Sequence, residues 1–318
     1  MKFAQQINST MYCIDCHDLG RKNRTGCYVL KGQSQAQLIE TSASPSISYI
    51  LQGLEELNIP LETITHIIVT HIHLDHAGGA GLLLQKCPNA KLLVHPKGER
   101  HLIDPARLIA GAKAVYGKDF EALFEPILPI PAHRIETVGN GQQLILDGRT
   151  LTFYHTPGHA NHHISIHDSV SNGVFTGDTC GIYYQEGQKG TLVLPTTSPN
   201  QFNPVDMLNS ISLYERLKPD ALFFGHFGVC SEPTEAFSQM RHYIPLFVAC
   251  GTEARKQMPG DAEAQLALIE KLLWDLVSPR LSQLEVSGSH SLQSILKLDF
   301  SVSSLGILDM LAKRESKA

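Results

Sequence analysis

The spacing of hydrophobic positions divides this chain into two regimes. Up to about residue 230, short apolar runs alternate with polar, Gly-containing turns, the rhythm of strands and crossovers. "GCYVL" and "QLIET" read as early strands. "HIIVT" at 66–70 is a continuous apolar run, as a strand buried on both faces requires, and "KLLVH" at 91–95 is another. Ser46 to Leu57 places Ile47, Ile50, Leu51, Leu54 and Leu57 at helical spacing, and Asn58-Ile59-Pro60 stops it. Leu82 to Gln85 reads as a short helix and residues 97–125 as mainly helical. From 134 to 178 the pattern is β again, through "QQLIL", "LTFYH", "HISIH" and "GVFTG". Residues 185–204, rich in Gly, Pro and Thr, read as a long loop of the covering or binding kind. Asp206 to Leu217 is helical, and "ALFFGH" at 221–226 is a strand.

Beyond Gly228 the rhythm becomes helical. Phe237, Met240, Ile244 and Phe247 form one stripe, with a kink expected at Pro245. Leu266, Ile269, Leu273 and Leu276 form a second. After a polar, Ser-rich stretch at 279–295, Leu305, Leu308 and Leu311 form a third. The pattern predicts an α/β domain over 1–230 and a mostly helical C-terminal extension over 231–318.

Composition narrows the function classes. A chain of 318 residues with 42% hydrophobic content can bury a real core. Its formal charge of −5 argues against a nucleic-acid partner and leaves a small-molecule substrate as the expectation. No run approaches about 18 apolar residues, so no membrane span is expected. The first residues carry no apolar signal core, and seven cysteines follow no framework spacing. Reduced thiols and a cytoplasmic location are therefore expected. Cys13-Ile14-Asp15-Cys16-His17 matches the spacing of covalent haem attachment, but that chemistry goes with export, and the alternation of Tyr12 and Ile14 favours a strand. The apolar helices of the tail either cover the body or pair with a second copy, leaving a homo-oligomer open.

Histidine is the informative excess, with 16 in the chain. "THIHLDHAGG" places His71, His73, Asp75 and His76 together directly after an apolar run. His159 follows "LTFYHTPG", Asp178 follows "GVFTG", and His226 follows "ALFFG". Each is a donor placed just past a buried strand, where ligand sites of α/β sheets collect, beside a Gly that permits a sharp turn. Imidazole and carboxylate suit zinc, iron or manganese, and the absence of Cys argues against a structural thiolate site. His71 and His73 can bite one metal, while Asp75 and His76, one turn later, can serve a second. Seven donors are too many for one tetrahedral ion. They suit two divalent ions about 3.5–4 Å apart that share a carboxylate.

"THIHLDHAGG", "TPGHANHH", "TGDT" and "FFGHFG", in this order, resemble the metal motifs of the metallo-β-lactamase fold superfamily. The resemblance covers about residues 10–230. It implies an αββα sandwich of two mixed β-sheets flanked by helices, with the site at one sheet edge. It assigns His71, His73 and His159 to a first metal, Asp75, His76 and His226 to a second, and Asp178 to a bridge between them. A helical C-terminal extension also occurs in the glyoxalase II-like and lactonase-like branches. The short spacings between motifs leave little room for the inserted domain of the nucleic-acid-processing branches.

The implied activity is hydrolysis of a lactone, ester, thioester or phosphoester by a metal-bridging hydroxide, with zinc first and iron or manganese as alternatives. Asp75 is a candidate to orient the nucleophile or shuttle its proton. Tyr183, with Tyr184 beside it, is a candidate phenol donor to a substrate oxygen. His162 and His163 are candidate partners of metal-bound imidazoles. Cys180 reads as a buried small residue, His95 and His101 as structural, and Arg107 and Lys113 as exposed helix positions. The alternative function is a non-hydrolytic di-iron protein that binds or reduces O2. Flavodiiron-type members place Glu where this chain has His73, and that departure favours the hydrolase.

Overall fold

The strand rhythm of the first regime builds a seven-stranded sheet whose order in space is its order in sequence. The computed structural model describes residues 2–185, 190–286 and 291–316. The sheet comprises β1 (Ala4–Asn8), β2 (Met11–Asp15), β3 (Gly26–Lys31), β4 (Ala36–Ile39), β5 (Ile64–Ile68), β6 (Lys91–Val94) and β7 (Ile135–Thr137). Neighbours from β1 to β4 are antiparallel, and those from β4 to β7 are parallel. Parallel neighbours need crossovers. They are supplied by α1 (Ile47–Glu56), by α2 (Leu74–Ala77) with α3 (Ala80–Lys86), and by α4 (Pro96–Ile103), α5 (Ala106–Tyr116) and α6 (Phe120–Phe124).

A second, six-stranded sheet holds β8 (Gln143–Leu146), β9 (Arg149–His155), β10 (Ile164–Asp168) and β11 (Gly173–Gly177). After the hairpin of β12 (Ile182–Tyr184) and β13 (Leu192–Leu194) the chain returns to that sheet with β14 (Ala221–Phe224) and β15 (Val229–Cys230). β14 lies parallel to β11; β8 to β11 are antiparallel to one another. Met11, Tyr28, Ile68 and Leu93 of the first sheet share one buried cluster with Phe153, Ile166, Phe175 and Phe223 of the second. Tyr28 stands edge-on to Phe175 with centroids 5.1 Å apart, and its hydroxyl donates to the carbonyls of Phe224 and Gly228, each at 2.8 Å. The other face of the first sheet packs Ile14, Val29, Leu38 and Ile67 against Ile50 and Leu54 of α1 and Leu83 of α3.

The chain forms two compact units. One contains Met1–His155, His162–Gly177 and Ala221–Val229; the other contains Thr156–Asn161, Asp178–Asp220 and Cys230–Ala318. The second unit holds the β12–β13 hairpin with α7 (Pro204–Leu217), α8 (Pro233–Gln257), α9 (Ala262–Gln283) and α10 (Ser291–Glu315). Its core joins Leu192 and Leu194 to Phe247, Ile269, Leu273, Phe300 and Ile307.

Mixed sheets flanked by helices and a helical C-terminal region are the fold class that the sequence predicted. Four details differ. β5 ends at Ile68 rather than at residue 70: the Val69 N–H still donates to the Leu93 carbonyl of β6, but the Thr70 carbonyl accepts from Ile164 N–H of the other sheet. Residues 185–204 are not wholly loop: β13 is buried there, and Gln239 holds it, accepting from Val193 N–H and donating to the Thr191 carbonyl. Residues 186–189 of that stretch lie outside the described residues. Pro245 sits inside a continuous α8. The Ser-rich stretch is helical at both ends, since α9 reaches Gln283 and α10 begins at Ser291, with residues 287–290 outside the described ones. Among the described residues no helix is long and apolar enough to cross a membrane.

Candidate metal centre

Sheet geometry places the predicted donors at the carboxyl ends of strands. In the first unit, β5 ends three residues before His71, and β14 ends two before His226. His73 is the residue before α2, whose single turn carries Asp75 and His76. A His71 ring nitrogen lies 3.0 Å from one of His73, with the rings edge-to-face. The His71 and His76 centroids are 4.1 Å apart, and those of His76 and His226 are 5.2 Å apart. Asp75 Oδ2 lies 3.7 Å from His76 Nε2 and 3.5 Å from His226 Nε2. Ligand atoms of Asp75, His76 and His226 all fall within 4.8 Å of one another. His71, His76 and His226 are buried, whereas Asp75 is partly open to solvent.

The surroundings of these rings suit ligation. His226 Nδ1 donates to the Arg24 carbonyl at 3.3 Å, which leaves the Nε2 lone pair facing Asp75. A backbone carbonyl on one ring nitrogen is the usual way to fix a metal-binding tautomer. Both rings of the predicted partner pair lie close to the cluster: His163 stacks on His71 at 5.1 Å, and His162 Nδ1 accepts from Ile72 N–H at 3.5 Å. Gly177 makes room for His163 and for Thr70. Its φ is +47°, and a Cβ there would stand 2.4 Å from His163 Nε2 and 2.6 Å from Thr70 Oγ1.

In the second unit, His159 and Asp178 meet one another, with His159 Nε2 3.5 Å from Asp178 Oδ2. His159 Nδ1 donates to the Thr196 carbonyl at 3.0 Å, so this ring too presents Nε2. The Asp178 carbonyl accepts from Gly181 N–H, and the Thr179 hydroxyl donates to the Thr156 carbonyl, closing the turns on which both donors sit. Each unit by itself thus holds imidazole and carboxylate donors with a ring fixed by a backbone carbonyl, residue types that fit divalent zinc, iron or manganese.

Two buried carboxylates escaped the sequence reading. Glu40 follows β4 at φ +70°; its Oε1 accepts from the Thr70 hydroxyl and lies 3.3 Å from His76 Nδ1. Its only sequence signal is an acid closing the apolar run "QLIE". Asp18 lies in the turn after "CIDCH". Burial pushes it up to about 6, Asp75 adds to the rise, and Arg24, His226 and His76 oppose it.

The remaining candidates separate clearly. Tyr183 is half-buried on β12 opposite Val193, and burial raises its phenol. Tyr184 is buried and donates to Asp299 Oδ2 at 2.7 Å. Cys180 is buried and its thiol is pushed up by desolvation, as are Cys13 and Cys16 of the haem-like motif, which are free thiols. His95 caps α4. His101 lies in the last turn of α4, and Arg107 and Lys113 are exposed on α5.

Comparison with known proteins agrees with this geometry. Residues 23–226 match the family model of the metallo-beta-lactamase superfamily. The chain is 28% identical to the metallo-beta-lactamase fold-containing protein ST1585 of Sulfurisphaera tokodaii, over 64% of this chain and 73% of that protein. It is also 28% identical to a hydroxyacylglutathione hydrolase of Aeromonas salmonicida, over 41% of this chain and only 37% of the relative. The crystal structure of metallo-beta-lactamase family protein TTHA1429 from Thermus thermophilus superposes with a TM-score of 0.65 at 17% identity, covering 98% of this chain and 95% of that one. The ordered donors at the strand ends, the paired mixed sheets and the family match establish that this chain belongs to the metallo-beta-lactamase superfamily.

Proposed function

We propose that the chain is a dinuclear metal-dependent hydrolase acting on an ester-like bond of a small molecule: a lactone, ester, thioester or phosphoester. The observation that carries this reading is the donor set of Asp75, His76 and His226, with the His226 tautomer fixed by a backbone carbonyl. By the order of the family motifs, His71, His73 and His159 would hold a first metal and Asp75, His76 and His226 a second, with Asp178 assigned to both. The chemistry that divalent ions would supply there is a hydroxide at neutral pH and stabilisation of the negative charge of the transition state. Asp75, a donor partly open to solvent, orients the attacking water and accepts its proton at a carboxylate oxygen. Tyr183 donates its phenol proton to a substrate oxygen. His73, where oxygen-reducing relatives carry Glu, favours hydrolysis over O2 chemistry. The relative named hydroxyacylglutathione hydrolase supports an acyl substrate.

The test is a panel of lactone, thioester, carboxylic ester and phosphodiester substrates, given to protein purified with its native metals. Turnover of at least one class, lost on chelation and restored by zinc or manganese, is expected. Two irons, a reversible O2-dependent absorption and no turnover on any substrate would overturn the hydrolase in favour of an O2-binding protein.

A further inference from the structure

The C-terminal helix carries a stripe that the hydrolase reading does not use. Ser303, Gly306 and Lys313 recur at spacings that place them on one side of α10. All three meet the segment 197–200. The Thr197 hydroxyl donates to the Ser303 carbonyl at 2.8 Å. At Gly306 a Cβ would stand 1.7 Å from the Thr197 carbonyl oxygen, so only glycine admits this approach. Lys313 Nζ donates to the Asn200 carbonyl at 2.8 Å. The residue immediately before this clamp is Thr196, whose carbonyl accepts from His159 Nδ1, and Ser198 Oγ lies 3.5 Å from His159 Nε2. Farther up the helix, Asp299 accepts from Tyr184 of the hairpin, so α10 is anchored beside the clamp as well.

We propose that α10 is a positioning element for His159: it fixes the 196–200 segment and thereby the carbonyl that sets the tautomer and direction of the imidazole. The inference rests on His159 as a metal ligand. Its physical basis is that a metal-bound imidazole almost always donates its other N–H to an outer partner, and loss of such a partner costs affinity by about 10–100-fold. α10 is then part of what holds the metal site in shape.

The experiment measures zinc affinity by chelator competition in the full-length protein, together with the exchangeable Nδ1 proton of His159 by NMR. Gly306→Ala risks misfolding, so Thr197→Val carries the test. Thr197→Val should bind zinc about tenfold more weakly and exchange its His159 Nδ1 proton faster than the wild type. Thr197→Ser should restore both. Asp261→Ala, which removes the cap of α9, should lower the melting temperature while leaving zinc affinity unchanged. Wild-type affinity in Thr197→Val, or an equal loss in Asp261→Ala, would overturn the positioning role. His159→Ala separates the two readings. If it keeps wild-type affinity, the ligand assignment itself fails. If it loses affinity while Thr197→Val does not, only the role of α10 fails.

Discussion

Glu40 shows how much one side chain can organise. It is 2% exposed, and its carboxylate touches both the Thr70 hydroxyl and the His76 ring. Thr70 in turn lies 3.0 Å from His71 Nδ1, so a single carboxylate steadies the outer sides of two donor rings. Glu40→Gln keeps the volume but removes the charge facing His76. It should weaken metal binding by about 10–100-fold while the chain stays folded; chelator competition alongside circular dichroism checks both halves. His71, His73, Asp75 and His76 were legible in the sequence because four donors in six positions have no ordinary structural explanation. Glu40 was not, because one acid at a strand end is common, and its partners lie 30 and 36 residues away in sequence.

At the scale of elements, the strands and crossover helices were legible wherever apolar periodicity was long enough to distinguish its period. β13 was hidden because three apolar residues between Gly, Pro and Thr carry no period, and its pairing is settled by β12 and by Gln239 of α8. The start of α4 offers a pH-dependent element. His95 accepts from Lys97 N–H through Nδ1, which requires the neutral ring. Burial, then His155 and Lys97, hold it down at about 4. A depressed histidine stabilises the fold fully above its unfolded value near 6.5, and that contribution is lost as the pH falls from there through about 4. His95→Asn retains a capping acceptor without the titration. Its melting temperature should therefore fall less steeply than that of the wild type between these two pH values; parallel curves would show that the His95 cap contributes nothing.

At the scale of the whole molecule, the strand rhythm and the four motifs together pointed to a metallo-beta-lactamase fold, because each motif follows an apolar strand and the family model matches the same stretch. Substrate choice was not legible, since pocket shape depends on tertiary packing that no local period encodes. The chain also alternates between its two units, so that His159 and Asp178 belong to one and the other five donors to the other. Periodicity reports the elements and says nothing of such interleaving. The central claim is the proposed dinuclear metal-dependent hydrolase, with its ligands assigned by the order of the family motifs. Elemental analysis of protein purified with its native metals, compared with His71→Ala and Asp178→Ala, tests it most directly. The account predicts two divalent ions per wild-type chain, and loss of metal together with turnover in both variants. Full hydrolytic activity in either variant with no metal bound would contradict it.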